Sequence, residues 1–221
     1  LKKASEKLEK LVELKPDAAL NLRLANLYLS TKDSVRAIPP LERYTLLKKD
    51  AVNELSILGE CYLSRKEYSK AEVVLKRVID MRGASSQTLA PVYLSYALSL
   101  EGLGKASEAI GAYEQALKAD SKNTGAQYKV GSYYLKNKDY KRAVPAFLVS
   151  RGDKAFEDGS VRGLAEAYYA QNDLKSALPY LELQNKKESG NVETLERLVS
   201  SYLAVGNNSQ AVKVLGELKG K

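Results

Sequence analysis

The side chains able to do chemistry in this chain are cations, aromatics and carboxylates, and the chemistry they suit is recognition. Arg23, Lys129, Arg162 and Arg197 supply positive charge. Tyr128 and Tyr169 supply flat, amphipathic rings, and Asn26, Glu60 and Glu166 supply hydrogen-bonding groups. Arg and Tyr are typical anchors of protein interfaces. Lys129, Arg162 and Arg197 with Tyr128 and Tyr169 suit an extended acidic segment. Bond-making chemistry has no comparable candidate. The chain has no histidine and one cysteine, Cys61, so it offers no imidazole base, no His metal ligand and no zinc site built from thiolates. Neither a GxxxxGK[ST] loop nor a GxGxxG turn after a strand is present. No catalytic residue, cofactor site or metal ligand is therefore assigned, and Cys61 reads as a small buried apolar residue beside Tyr62.

The elements that position these side chains are set by a ladder. Alanine recurs at Ala4, Ala37, Ala71, Ala109, Ala143, Ala177 and Ala211, in steps of 33, 34, 38, 34, 34 and 34 residues. So regular a step means one supersecondary unit copied along the chain. Twelve residues before the alanines from Ala37 onward stand Ala25, Gly59, Ala97, Gly131, Ala165 and, as the exception, Val199. Three residues later come Tyr28, Tyr62, Leu100, Tyr134, Tyr168 and Tyr202. Four residues after the alanines come Leu8, Leu41, Leu75, Tyr113, Phe147, Leu181 and Leu215. Offsets of three and four share a helix face. Each unit thus holds two amphipathic helices, A then B, in closest contact at the small residues. Lys32-Asp33, Lys66-Glu67, Gly104-Lys105, Lys138-Asp139, Asn172-Asp173 and Gly206-Asn207 mark the A-to-B break, where Asp or Asn can cap helix B.

This pattern resembles the tetratricopeptide repeat family. The best copy, 90–123, carries Tyr96, Ala97, Leu100, Gly104, Ala109, Tyr113 and Ala116 at that family's core positions. The other copies run 18–51, 52–85, 124–157, 158–191 and 192–221, after a lone helix B over 1–17. The resemblance implies an all-α, right-handed superhelical solenoid of antiparallel helix pairs over 1–221, with thirteen helices. It also implies a non-enzymatic scaffold whose A helices line a concave groove that takes a protein or peptide segment. The groove positions hold Arg23, Asn26, Glu60, Tyr128, Lys129, Arg162, Glu166, Tyr169 and Arg197. A clamp for a C-terminal carboxylate is not expected: Leu22 stands where its Lys belongs, and Ser56 and Ile57 supply no amide. Ser150 and Gln184 depart from the family pattern, since a small apolar residue is usual at both.

The net charge of +8 favours acidic partners: an acidic peptide, an anionic membrane surface or nucleic acid. The lysines are scattered, so solubility alone also accounts for them. Nucleic acid is the alternative partner, weakened because repeats that read RNA run at another length with fixed reading residues. An enzyme is the remaining alternative. No apolar run approaches the ~18 residues of a spanning helix. Leu1 is not an initiator Met and the chain opens inside a repeat, so an upstream part is expected, and the compartment, cytoplasm or periplasm, stays open. Both end helices look over-supplied with apolar residues, which leads to expected exposed strips and homodimerisation through one of them. The four extra residues near Gly83–Thr88 predict a longer loop, with helix A starting about Thr88 and Pro91 in its first turn. Helix B is expected to stop near Gly152, with Asp158-Gly159 as a turn. Pro39, Pro145 and Pro179 fall in the second turn of their B helices.

Overall fold

The computed structural model describes residues 2–14, 17–81 and 86–220, with side chains except at 2–4 and 86–88. Among them lie thirteen helices and no strand. They fall into two compact units, Leu1–Ala119 and Asp120–Lys221. In the first unit α1 (Lys2–Leu14) is followed by α2 (Ala18–Ser30) with α3 (Ser34–Leu47), α4 (Val52–Ser64) with α5 (Tyr68–Ile79), and α6 (Ser86–Gly102) with α7 (Ala106–Ala119). The second unit pairs α8 (Thr124–Lys136) with α9 (Tyr140–Ser150), α10 (Glu157–Ala170) with α11 (Leu174–Lys187), and α12 (Val192–Ala204) with α13 (Asn208–Lys219). Each unit is an all-α stack of antiparallel helix pairs. The even-numbered helices are the A helices.

The ladder marks the closest approach of the helices, as the spacing predicts. Ala37, Ala71, Ala109, Ala143, Ala177 and Ala211 are all buried, and so are Ala25, Gly59, Ala97, Gly131 and Ala165 on the A helices. Val199, the exception, stays partly exposed. A Cβ at Gly59 would meet the Leu75 side chain at 2.5 Å. Four residues after each alanine, Leu41, Leu75, Tyr113, Phe147 and Leu181 fill the core. Leu215 does not and is exposed, since no further helix packs on α13 among the described residues. Val212 beside it is exposed too, whereas Ala211 and Val214 are buried. At the other end Leu11 and Leu14 are exposed and Val12 is buried.

The A-to-B turn is one repeated device. In the first turn the Asp33 N–H donates to Tyr28 O at 2.9 Å and the Lys32 N–H to Leu29 O at 3.0 Å. That is the Schellman pattern, which needs a left-handed residue after the helix. The residue is Lys32 (φ 59°), Lys66 (φ 61°), Gly104 (φ 74°), Lys138 (φ 59°), Asn172 (φ 59°) and Gly206 (φ 75°) in the successive turns. The next residue then opens helix B. The side chains of Asp33, Asp139, Asp173 and Asn207 accept from the backbone N–H three residues on, as expected. Glu67 does not cap; its carboxylate pairs with Lys70 at 2.8 Å and Arg65 at 2.5 Å. A lysine held at positive φ is strained by ~1–2 kcal/mol, and glycine gives back about half of the relief as unfolded-chain entropy. Lys138→Gly should therefore raise stability by about 0.5–1 kcal/mol, read as a higher urea midpoint with an unchanged m-value.

Three local expectations need correction. The four-residue insertion is absorbed as helix: α6 has 17 residues where α2, α4, α8 and α12 have 13. Four residues make about one turn, so the lengthening keeps the face in register. Helix α6 starts at Ser86 rather than Thr88, and Pro91 sits in its second turn; residues 82–85, where the loop was expected, lie outside the described residues. Asp158-Gly159 is not a turn but the start of α10. The turns between α9 and α10 fall at 151–156, one of them closed by Phe156 N–H to Asp153 O at 2.9 Å. The B-helix prolines Pro39, Pro145 and Pro179 are each the sixth residue of their helix, in the second turn as expected.

Candidate functional site

The expected recognition side chains divide between the units. Arg23 and Asn26 are exposed on α2 and Glu60 is exposed on α4. In the second unit Tyr128 and Lys129 stand on α8, Arg162, Glu166 and Tyr169 on α10, and Arg197 on α12. Lys129, Arg162 and Glu166 are exposed; Tyr128, Tyr169 and Arg197 are half-buried.

The structure brings Arg197 and Tyr169 together. The guanidinium lies over the Tyr169 ring, 5.2 Å from its centroid, a cation–π contact. Arg197 also forms an ion pair with Glu193, one helical turn earlier on α12. Arg162 pairs with Glu188 at 3.5 Å, and Lys187 with Asp158 beside it. Arg162 and Arg197 thus each have a carboxylate, and the surface carries mixed charge. Sequence reasoning missed Glu188, Glu193, Asp158 and Lys187. The four-residue spacing of Glu193 and Arg197 was a legible signal; the other two pairs join separate helices and left none.

Tyr128 has a packing role. Its ring stacks on Phe156 (centroids 5.2 Å apart, 26° between planes) and meets Phe147 edge-on at 6.1 Å. Its phenol lies against Gly159, where an added Cβ would come within 2.8 Å of the ring. This explains the glycine at the start of α10: it admits the tyrosine and does not bend the chain. Ser150, the departure from the family pattern, is also accounted for. Its hydroxyl meets that of Ser160 at 2.7 Å, both fully buried, and bonds back to Phe147 O, so each buried hydroxyl has the other as a partner.

A second regularity ties successive repeats. Tyr28, Tyr62 and Tyr202 on A helices donate their hydroxyls to the carboxylates of Glu9, Glu42 and Glu182 on the preceding B helices, the last at 2.7 Å. Each of these Glu residues stands five places after a ladder alanine, a spacing that was readable but unread. Burial first, and then the carboxylate, pushes these phenols up, Tyr202 to about 12. Cys61 is buried as expected. Burial, followed by the Glu60 carboxylate, pushes its thiol up, away from the thiolate form a nucleophile needs. Among the described residues no three His, Cys, Asp or Glu side chains gather as metal ligands, and no helix is long and apolar enough to cross a membrane.

Residues 96–158 match the family model of the tetratricopeptide repeat. No curated protein matches the sequence. Among solved structures the chain is similar to YrrB, a TPR protein with an unusual peptide-binding site. The TM-score is 0.65 at 16% identity over 87% of this chain and 97% of that one. It is also similar to PilF of Pseudomonas aeruginosa, with a TM-score of 0.62 at 16% identity over 88% and 89% of the two chains. For MamA the TM-score is 0.57 at 22% identity over 66% and 84%. At these identities the likeness is one of fold: the helix pairs stack as in those tetratricopeptide repeat structures.

Proposed function

We infer that this chain, built of tetratricopeptide repeats, is a non-enzymatic scaffold that holds a segment of another protein against its A helices, most tightly on α8, α10 and α12. The fold supports a protein-interaction role in general. The observation that carries the finer reading is the Tyr169–Arg197 contact with Arg162 on the neighbouring helix: an aromatic face and two guanidinium groups on successive A helices. Such groups recognise a planar carboxylate by paired N–H donors.

The partner segment is acidic by this reading, although both arginines already hold a carboxylate. Arg162 and Glu188 are each more than half exposed, and an exposed ion pair contributes only ~0–1 kcal/mol. An incoming carboxylate can therefore replace Glu188 at little cost. Glu166, exposed on α10 four residues after Arg162, disfavours a segment of uniform negative charge and selects one with a basic residue in register. The YrrB likeness is consistent with peptide binding on this fold, and that binding is proposed here for this chain on its own residues.

The test is affinity capture with the wild-type chain beside Lys129→Glu/Arg162→Glu/Arg197→Glu. The triple variant should lose the captured partner by on the order of a hundredfold, as fits the loss of two or three anchors, with an unchanged helical CD spectrum. A triple variant that still captures the partner would place binding elsewhere. Binding of nucleic acid that collapses with salt would favour the alternative instead.

A further inference from the structure

A second surface lies on the B helices of the first unit. A groove of about 750 Å³ runs between α3 and α5, lined by Thr45 and Leu46, by Lys49 after α3, and by Val73, Lys76 and Arg77. Leu46 is 72% exposed and Val73 69% exposed. Single exposed apolar residues are ordinary; here two line the same groove, with Leu47 also exposed beside Leu46. Met81 lines it too, partly buried and packed on the core. The Arg77 guanidinium donates to the Lys49 carbonyl at 2.5 Å. This bond ties α5 to the turn after α3.

The charge around this groove differs from that on α10 and α12. There, Arg162 and Arg197 each have a carboxylate. Here Lys49 and Lys76 are exposed, and among the described residues neither forms an ion pair. Asp80 lines the same groove but pairs with none of the three cations. Lys76 and Arg77 in the last turn of α5 complement its helix dipole. That role does not explain Lys49 or the exposed Leu46 and Val73.

We propose that the groove between α3 and α5 binds an acidic amphipathic helix of a partner protein. Its apolar side chains lie against Leu46 and Val73, and its carboxylates reach Lys49 and Lys76. A furrow walled by two helices receives a third by ridge-into-groove packing. The charge complementarity sets the sign of the partner, since Lys49, Lys76 and Arg77 outnumber the single carboxylate of Asp80 in the lining. This proposal is independent of the A-helix reading.

The probe is a labelled synthetic peptide of about five helical turns, with Leu at i and i+4 spacing on one face and Glu on both flanks. Its control carries Lys in place of Glu. The acidic peptide should bind with amide shifts confined to α3 and α5 in an NMR titration, and the basic control should not. Lys49→Glu/Lys76→Glu and, separately, Leu46→Ser/Val73→Ser should each weaken binding by on the order of tenfold or more with unchanged CD. Lys129→Glu/Arg162→Glu/Arg197→Glu should bind the peptide like wild type. Absence of binding, equal binding of both peptides or shifts on the A helices would overturn the proposal. So would capture by phosphatidylserine vesicles in place of the peptide, which would make the surface a membrane contact.

Discussion

Phe147→Ala should lower the stability of the second unit by about 3–5 kcal/mol, the range for emptying a buried aromatic site. The residue is 1% exposed on α9 and fills a space that two glycines leave open. A Cβ at Gly163 on α10 would come within 2.4 Å of its ring, and one at Gly131 on α8 within 3.0 Å. The Tyr128 ring closes another side at 6.1 Å. Phe147 thus touches the A helix before it and the A helix after it, and its loss should loosen α8, α9 and α10 together. Urea denaturation followed by hydrogen exchange would measure it, because a repeat array need not unfold in one step. Protection should fall first in those three helices. Gly163→Ala alone should destabilise by overpacking, and in the Phe147→Ala background it should be neutral or restorative. If the two changes were additive, the ring would not be what the glycine accommodates.

Ala109→Leu should cost about 1–3 kcal/mol by forcing a larger side chain into a closed contact. Ala109 is buried on α7, and Ala97, the small residue of α6, is buried too. The backbones of the pair come close because neither residue has more than a methyl group. Leucine would push α7 off α6 or leave its preferred rotamer. Ala106→Leu, exposed at the start of the same helix, is the control and should change stability by no more than ~0.5 kcal/mol. A lowered melting temperature for Ala109→Leu beside an unchanged one for Ala106→Leu ties the cost to the ladder position and not to leucine in this helix. Equal temperatures would mean that the alanine spacing does not mark the helix contact.

The same packing separates fold from function in this chain. The ladder alanines, Phe147 and the Tyr–Glu bonds between repeats are buried or half-buried and hold one helix pair on the next. The candidate recognition groups Arg162 and Glu166, and Leu46 and Val73 in the other groove, are exposed, and the Arg162–Glu188 pair is an exposed one. Charge reversal at the exposed positions should therefore change binding while leaving the melting temperature within a degree or two, since surface substitutions seldom cost more than ~0.5 kcal/mol.

What was legible in the sequence was whatever repeats. The helix pairs, their boundaries within a few residues, the buried alanines and the Asp and Asn caps all depend on residues one to five places apart, and the 34-residue step writes each of them several times. Tertiary structure alone decided the rest. The four residues inserted before Ala90 could have been loop, and they became a turn of α6. Gly159 carries a turn signal, yet it lies in α10, where its missing Cβ leaves room for the Tyr128 ring from α8. Arg162 met Glu188, and Lys187 met Asp158, across the gap between α10 and α11. The groove between α3 and α5 joins Leu46 to Val73, which no period connects. The physical reason is one of range. A helix and its caps are set by neighbours along the chain, whereas the partner of an exposed charge is set by which side chains of a different helix fall within a few ångströms, and that depends on how two helices seat against each other.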